Sequence, residues 1–173
     1  MPPFFLIGYM GSGKSYTGRR LAELLAIPFI DLDEAVERRR GESIAALVAR
    51  DGIEAFRRVE ATALRDTPRR PAVIACGGGT PTFGTNLEWM NARGITCYLA
   101  TPVPVLVKRL LPERAERPLI AGVPEAALTG FVRQHLSERL PYYHRAHLRY
   151  AQTTGKEPVA EELHAYLSRI VGH

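Results

Sequence analysis

The sequence predicts one α/β domain, a three-layer sandwich in which a five-stranded parallel sheet lies between layers of helices. Three observations predict it. Short apolar runs alternate with longer stretches of helical periodicity. A glycine-rich loop follows the first run and opens the first helix. Polar and glycine-rich residues recur just after the apolar runs, where the carboxyl edge of a parallel sheet gathers ligands.

Each element has its own reason. Residues 4–8 begin with Phe4-Phe5-Leu6-Ile7, a short apolar run of the kind that forms a buried strand. Residues 14–25 place Leu21, Leu24 and Leu25 at helical spacing around Ala22. Residues 28–32 read as the second strand. Residues 43–50 and 53–66 read as helices, and Pro68 and Pro71 then enclose a loop around Arg69-Arg70. Residues 72–76 read as the third strand, 87–92 as a helix and 95–100 as the fourth strand. Helices follow over 102–111 and 124–144, then a weaker strand over 149–152 and a last helix over 161–171. Strands separated by helices imply right-handed crossovers and a parallel sheet. The stretch 111–124 carries Pro112, Pro118, Gly122 and Pro124. It suits neither helix nor strand and reads as a mobile lid.

At 173 residues, with no internal repeat and no low-complexity linker, residues 1–173 form a single domain. Hydrophobic residues make up 46% and charged residues 24%, as in an ordinary soluble protein. No apolar run approaches membrane length, and Met1-Pro2-Pro3 leads straight into the first strand without room for a leader. A cytoplasmic location is expected. Cys76 and Cys97 each sit in an apolar run and read as small buried hydrophobes, not a disulfide. The net charge of +5 favours anionic ligands. Nucleic acid is not expected, because the arginines are separated and no aromatic residues interleave with them. A monomer is expected.

Gly8-Tyr9-Met10-Gly11-Ser12-Gly13-Lys14-Ser15 fits the phosphate-loop pattern G-x-x-x-x-G-K-[ST], and a strand and a helix flank it as the chemistry requires. Glycines let backbone amides converge on a phosphate. The helix N-terminus adds partial positive charge. Lys14 is placed to reach the β- and γ-phosphates, and the Ser15 hydroxyl to ligate Mg²⁺.

The second strand ends in Asp31-Leu32-Asp33, and strand periodicity turns both carboxylates the same way. One suits a Mg²⁺ shell and the other a general base; Asp33 also suits a helix N-cap. Gly77-Gly78-Gly79 after the third strand permits close backbone approach. Arg57 and Glu60 stand at i, i+3. By spacing alone they read first as an exposed ion pair of small worth, and otherwise as a guanidinium held rigid for an anion. His144 and His147 lack a third ligand nearby, Tyr142 and Tyr143 read as packing the end of their helix, and Trp89 reads as core or part-buried surface.

The ordered set formed by the phosphate loop, Asp31-x-Asp33, Phe56-Arg57-x-x-Glu60, Gly77-Gly78-Gly79, Arg117-Pro118-Leu119 and Arg139-x-Pro-x-Tyr143 resembles the shikimate kinases. The resemblance runs from about Phe4 to Tyr150. It implies a fold wound as in the nucleoside monophosphate kinases. It also implies MgATP-dependent phosphorylation of the 3-hydroxyl of shikimate, a step toward chorismate and the aromatic amino acids. By resemblance Lys14, Asp33 and Arg117 are catalytic, with Asp33 the base and Arg117 on the lid. Gly11, Ser12, Gly13, Lys14, Ser15, Tyr16, Arg109 and Arg117 contact ATP, with Arg109 beside adenine. Asp33, Arg57, Gly78, Gly79 and Arg139 bind shikimate, the two arginines clamping its carboxylate and Glu60 holding Arg57. Ser15 ligates Mg²⁺ directly and Asp31 through water. The turn at Thr153–Pro158 falls where this fold often places adenine. Two alternatives are a gluconate-type kinase and a nucleotide-binding regulatory module without turnover.

Overall fold

A computed structural model describes residues 1–171. Strands β1 (Phe4–Ile7), β2 (Phe29–Asp31), β3 (Val73–Ala75), β4 (Ile95–Ala100) and β5 (Leu148–Ala151) form one parallel sheet in the order β2-β3-β1-β4-β5. The helices are α1 (Lys14–Leu25), α2 (Leu32–Arg40), α3 (Ile44–Asp51), α4 (Ile53–Arg65), α5 (Asn86–Arg93), α6 (Val103–Leu110), α7 (Glu125–Tyr143) and α8 (Val159–Val171). The fold class is the expected one.

The two-residue period of the strands divides the core in two. Phe4 and Leu6 of β1, with Cys97 and Leu99 of β4, face α1 and α8 through Leu21, Leu163 and Leu167. Phe5 and Ile7, with Tyr98 and Ala100, face the other layer through Leu32, Leu64, Val132 and Leu136. All four residues of β1 are fully buried, and β1 lies mid-sheet between β3 and β4. The loop that leaves its carboxyl end therefore starts from a fixed point. Cys76 and Cys97 are free and buried, on opposite faces of the sheet. Among the described residues no helix is long and apolar enough to cross a membrane.

One element departs from expectation. The second strand ends at Asp31, and a helix, α2, begins at Leu32, in a stretch where the sequence offered only an N-cap reading of Asp33. Asp31, not Asp33, is the N-cap: its Oδ1 accepts from the amides of Asp33 at 3.1 Å and Glu34 at 3.4 Å. Asp33 and Glu34 stand in the first turn and Arg38, Arg39 and Arg40 in the last, which suits the helix dipole. Leu32 and Val36 are its only buried residues, too few for a visible helical period. The two aspartates thus reach the ligand edge from a strand end and a helix turn, not from one strand face.

Candidate active site

The phosphate loop leaves β1 with Gly11 at φ 77° and Gly13 at φ 90°, backbone that a Cβ would strain. Lys14 Nζ folds under the loop and donates to the carbonyls of Gly8 and Tyr9, both at 2.8 Å, and to Ser12 Oγ at 3.4 Å. From the outer side Arg109 Nη1 donates to the Gly11 carbonyl at 3.0 Å, and Gln152 Nε2 to the Ser12 carbonyl at 2.9 Å. With those carbonyls tied back, the first amides of α1, which have no intrahelical partner, are left for an anion. Burial pulls the Lys14 amine down to about 8, and Asp33 opposes this.

Ser15 Oγ donates to Asp31 Oδ2 at 2.6 Å. A hydroxyl and a carboxylate side by side form an all-oxygen pair of the kind that suits a hard divalent ion. Asp33 is open to the cleft, yet protein surrounds its carboxyl on the flanks. Partial desolvation, with Glu60 and Asp31 nearby, pushes it up to about 6.

The Gly77-Gly78-Gly79 run lies where four charged side chains press on the backbone. A Cβ on Gly77 would stand 2.6 Å from Glu60 Oε1 and 3.2 Å from Asp33 Oδ1. One on Gly78 would stand 2.9 Å from Arg139 Nη1, and one on Gly79 would collide with the Arg57 guanidinium. None of the three has a positive φ, so close approach, not backbone freedom, requires glycine here.

Arg57 Nη1 donates to Glu60 Oε2 at 2.8 Å. Glu60 is fully buried and the Arg57 side chain 17% exposed, so this is no surface pair. Thr80 Oγ1 donates to the other oxygen of Glu60 at 2.7 Å. Asn86 Nδ2 donates to the Thr80 carbonyl at 3.0 Å, and Arg65 Nη1 to Asn86 Oδ1 at 2.7 Å. Both carboxylate oxygens of Glu60 are thereby satisfied, as a buried charge requires. Across the glycines, Tyr143 donates its hydroxyl to the Gly78 carbonyl at 2.6 Å.

A cleft of about 570 Å³ joins these groups, lined by Lys14, Ser15, Asp31, Asp33, Gly78 and Arg117 among others. Tyr16, 81% exposed, stands at its rim. Arg117 follows a short 3₁₀ turn, Arg114–Glu116, and its Nε donates to Glu113 at 3.0 Å. Fully buried Ile120 pins this segment to the core. A second hollow of about 320 Å³ opens on the other side of the loop, between Thr17, Arg20, Arg109 and the Gly155-Lys156 turn. There Arg109 Nη2 donates to the Gly155 carbonyl at 2.5 Å.

The expected residues thus converge. Lys14, Ser15, Asp31, Asp33, Gly78 and Arg117 share one cleft, and Arg57 and Arg139 close on Gly79 and Gly78. Sequence reasoning missed Thr80, Asn86, Gln152 and the Tyr9–His135 contact. Thr80 stood next to the glycine run and Tyr9 within the phosphate loop; Asn86 and His135 stood beside no recognised signal. Trp89 is half-buried, with Phe5 edge-on to it at 6.1 Å. His147 Nδ1 accepts from the Thr96 amide at 3.2 Å. Among the described residues no three His, Cys, Asp or Glu side chains cluster as a metal site.

The family model described as shikimate kinase matches residues 10–170. A shikimate kinase of Parabacteroides distasonis is 40% identical over 147 residues, 84% of this chain and 85% of that protein. One of Halorhodospira halophila is 41% identical over 153 residues, covering 87% and 84% of the two chains. Among solved structures, shikimate kinase from Bacteroides thetaiotaomicron superposes with a TM-score of 0.87 at 32% identity, over 99% of this chain and 98% of that one. Shikimate kinase from Acinetobacter baumannii in complex with shikimate gives the same TM-score and identity, over 99% and 94%. By family model, by relatives along most of its length and by fold, this chain belongs to the shikimate kinase family.

Proposed function

We propose that this protein transfers the γ-phosphoryl group of ATP to the 3-hydroxyl of shikimate, giving shikimate 3-phosphate and ADP. One observation carries the reading. Two arginines and an aspartate meet at the glycine run that shares a cleft with the phosphate loop. An acceptor with a carboxylate at one end and hydroxyls at the other fits that polarity.

The chain's own residues divide the work. Arg57, braced by Glu60, and Arg139 hold the acceptor carboxylate as fixed forks. Asp33 binds the ring hydroxyls and takes the proton of the attacking one; a base near pH 6 suits work at neutral pH. The loop amides of Gly11, Ser12 and Gly13 hold phosphate, and Lys14 and Arg117 offset the charge that spreads over the transferred group. An added triphosphate charge also keeps Lys14 protonated. Tyr16 borders the nucleotide, and Arg109, fixed between Gly11 and Gly155, lies against adenine. Ser15 directly, and Asp31 through water, would hold Mg²⁺, which when bound supplies positive charge to the phosphates. Residues 111–124 act as the lid that carries Arg117 and keeps water from the phosphoryl group. The protein works as a cytoplasmic monomer, with neither nucleic acid nor membrane as partner.

The test is ADP formation with MgATP and, in turn, shikimate, gluconate or no acceptor. Turnover is expected with shikimate at least about tenfold above either control. Equal turnover with gluconate overturns the acceptor, and equal turnover without acceptor overturns the transfer.

A further inference from the structure

Arg57 and Arg139 are held in different ways. Arg57 has a carboxylate partner in Glu60. Arg139 makes no ion pair among the described residues. Its guanidinium lies instead over the ring of Tyr9, 5.6 Å from the centroid. The Tyr143 phenol stands beside it, with its hydroxyl already given to Gly78.

The ring of Tyr9 is itself fixed. Tyr9 is 1% exposed, and its hydroxyl lies 2.8 Å from His135 Nδ1. The two rings meet edge to face at 5.5 Å, and Phe131 packs against His135 with ring centroids 5.5 Å apart. Burial first, and then the Arg139 charge, hold His135 below its ordinary value. The ring is therefore neutral near pH 7, and Nδ1 can accept the Tyr9 proton. His135 precedes Arg139 by one turn of α7, so both lie on one face of that helix. The contact thus ties the root of the phosphate loop to the helix that carries Arg139. The Tyr9 carbonyl also accepts from Lys14.

We propose that Tyr9 and His135 form a positioning pair: the hydrogen-bonded Tyr9 ring fixes the Arg139 guanidinium and leaves its charge free for the acceptor carboxylate. The physical reason is charge. A carboxylate partner would orient Arg139 and also neutralise it, whereas an aromatic face orients it and leaves the cation uncompensated. One clamp arginine then supplies geometry and the other supplies net charge. This rests on the reading that Arg139 holds the acceptor.

The test compares Y9F, Y9L, H135L, the double variant Y9F/H135L and R139A. Steady-state kinetics are measured with each substrate varied in turn, and thermal melting checks folding. R139A is expected to raise the KM for shikimate by about tenfold or more. Y9L, which loses ring and hydroxyl, should raise it by about tenfold. Y9F and H135L should each raise it by about threefold, and the double variant by no more than the larger single effect. The KM for ATP should change by less than about twofold throughout. If R139A raises the KM for shikimate but Y9L and Y9F do not, Tyr9 merely packs and the pair is overturned. If the two single effects multiply in the double variant, the hydrogen bond is overturned. If R139A itself leaves that KM unchanged, the assignment of Arg139 fails and the pair fails with it. Should Y9L not fold, the cycle of Y9F and H135L alone still decides.

Discussion

Asp33→Asn is expected to lower turnover by about 10²–10⁴-fold, the range of a general base in the transition state. Asparagine keeps the size and hydrogen-bonding reach of the side chain and removes only its basicity. The same substitution should erase a limb of the pH profile. With the carboxyl at about 6, kcat/KM of the parent protein should fall as the pH drops through 6, because the protonated form cannot accept the hydroxyl proton. Stability should move the other way. The folded protein holds this proton more tightly than the unfolded chain, so the stability it contributes is lost as the pH rises from the ordinary 3.8 to about 6 and stays lost above that. A neutral asparagine avoids that loss at pH 7–8, and the variant should melt no lower than the parent. Low turnover with an undiminished melting temperature is the signature of a base. Near-normal turnover with the acidic limb intact would rule the role out.

Glu60→Ala is expected to destabilise the protein by about 3 kcal/mol, a large part of an ordinary folding free energy of about 5–15 kcal/mol. The carboxylate is fully buried and accepts from both Arg57 and Thr80. Its loss leaves a charge and a hydroxyl without partners and a void beside them. The value lies at the low end for a broken buried pair because the Arg57 side chain, 17% exposed, regains some water. Denaturant unfolding reads the loss. Among the molecules that remain folded, Arg57 is no longer braced, and the KM for shikimate should rise more than that for ATP. A change of under about 0.5 kcal/mol would mean that the pair behaves as a surface ion pair after all.

The phosphate loop was fully legible, because its glycines, Lys14 and Ser15 are neighbours in the chain and their flanks declare themselves. So was the alternation that builds the sheet. The Asp31-Leu32-Asp33 segment was half legible. Its carboxylates were found, but a three-residue strand running directly into a helix with two buried positions gives neither period room to appear. The caps were the better signal there: Asp31 before two acidic residues, three arginines at the end and Gly41 beyond. For Arg57 and Glu60 the spacing was visible and the burial was not. Burial is decided by Thr80, twenty residues on, and by the glycines that let the backbone close over the pair. Tyr9 and His135 are 126 residues apart and meet only because α7 returns to the mouth of β1. No local pattern contains such a contact.

The most direct measurement is the identity of the product, read by phosphorus–proton correlation NMR after incubation of the protein with MgATP and shikimate. A new phosphate monoester coupled to the ring proton at carbon 3, formed together with ADP, is the expected result. Coupling to another ring proton, or ADP accompanied only by inorganic phosphate, would contradict phosphoryl transfer to the 3-hydroxyl.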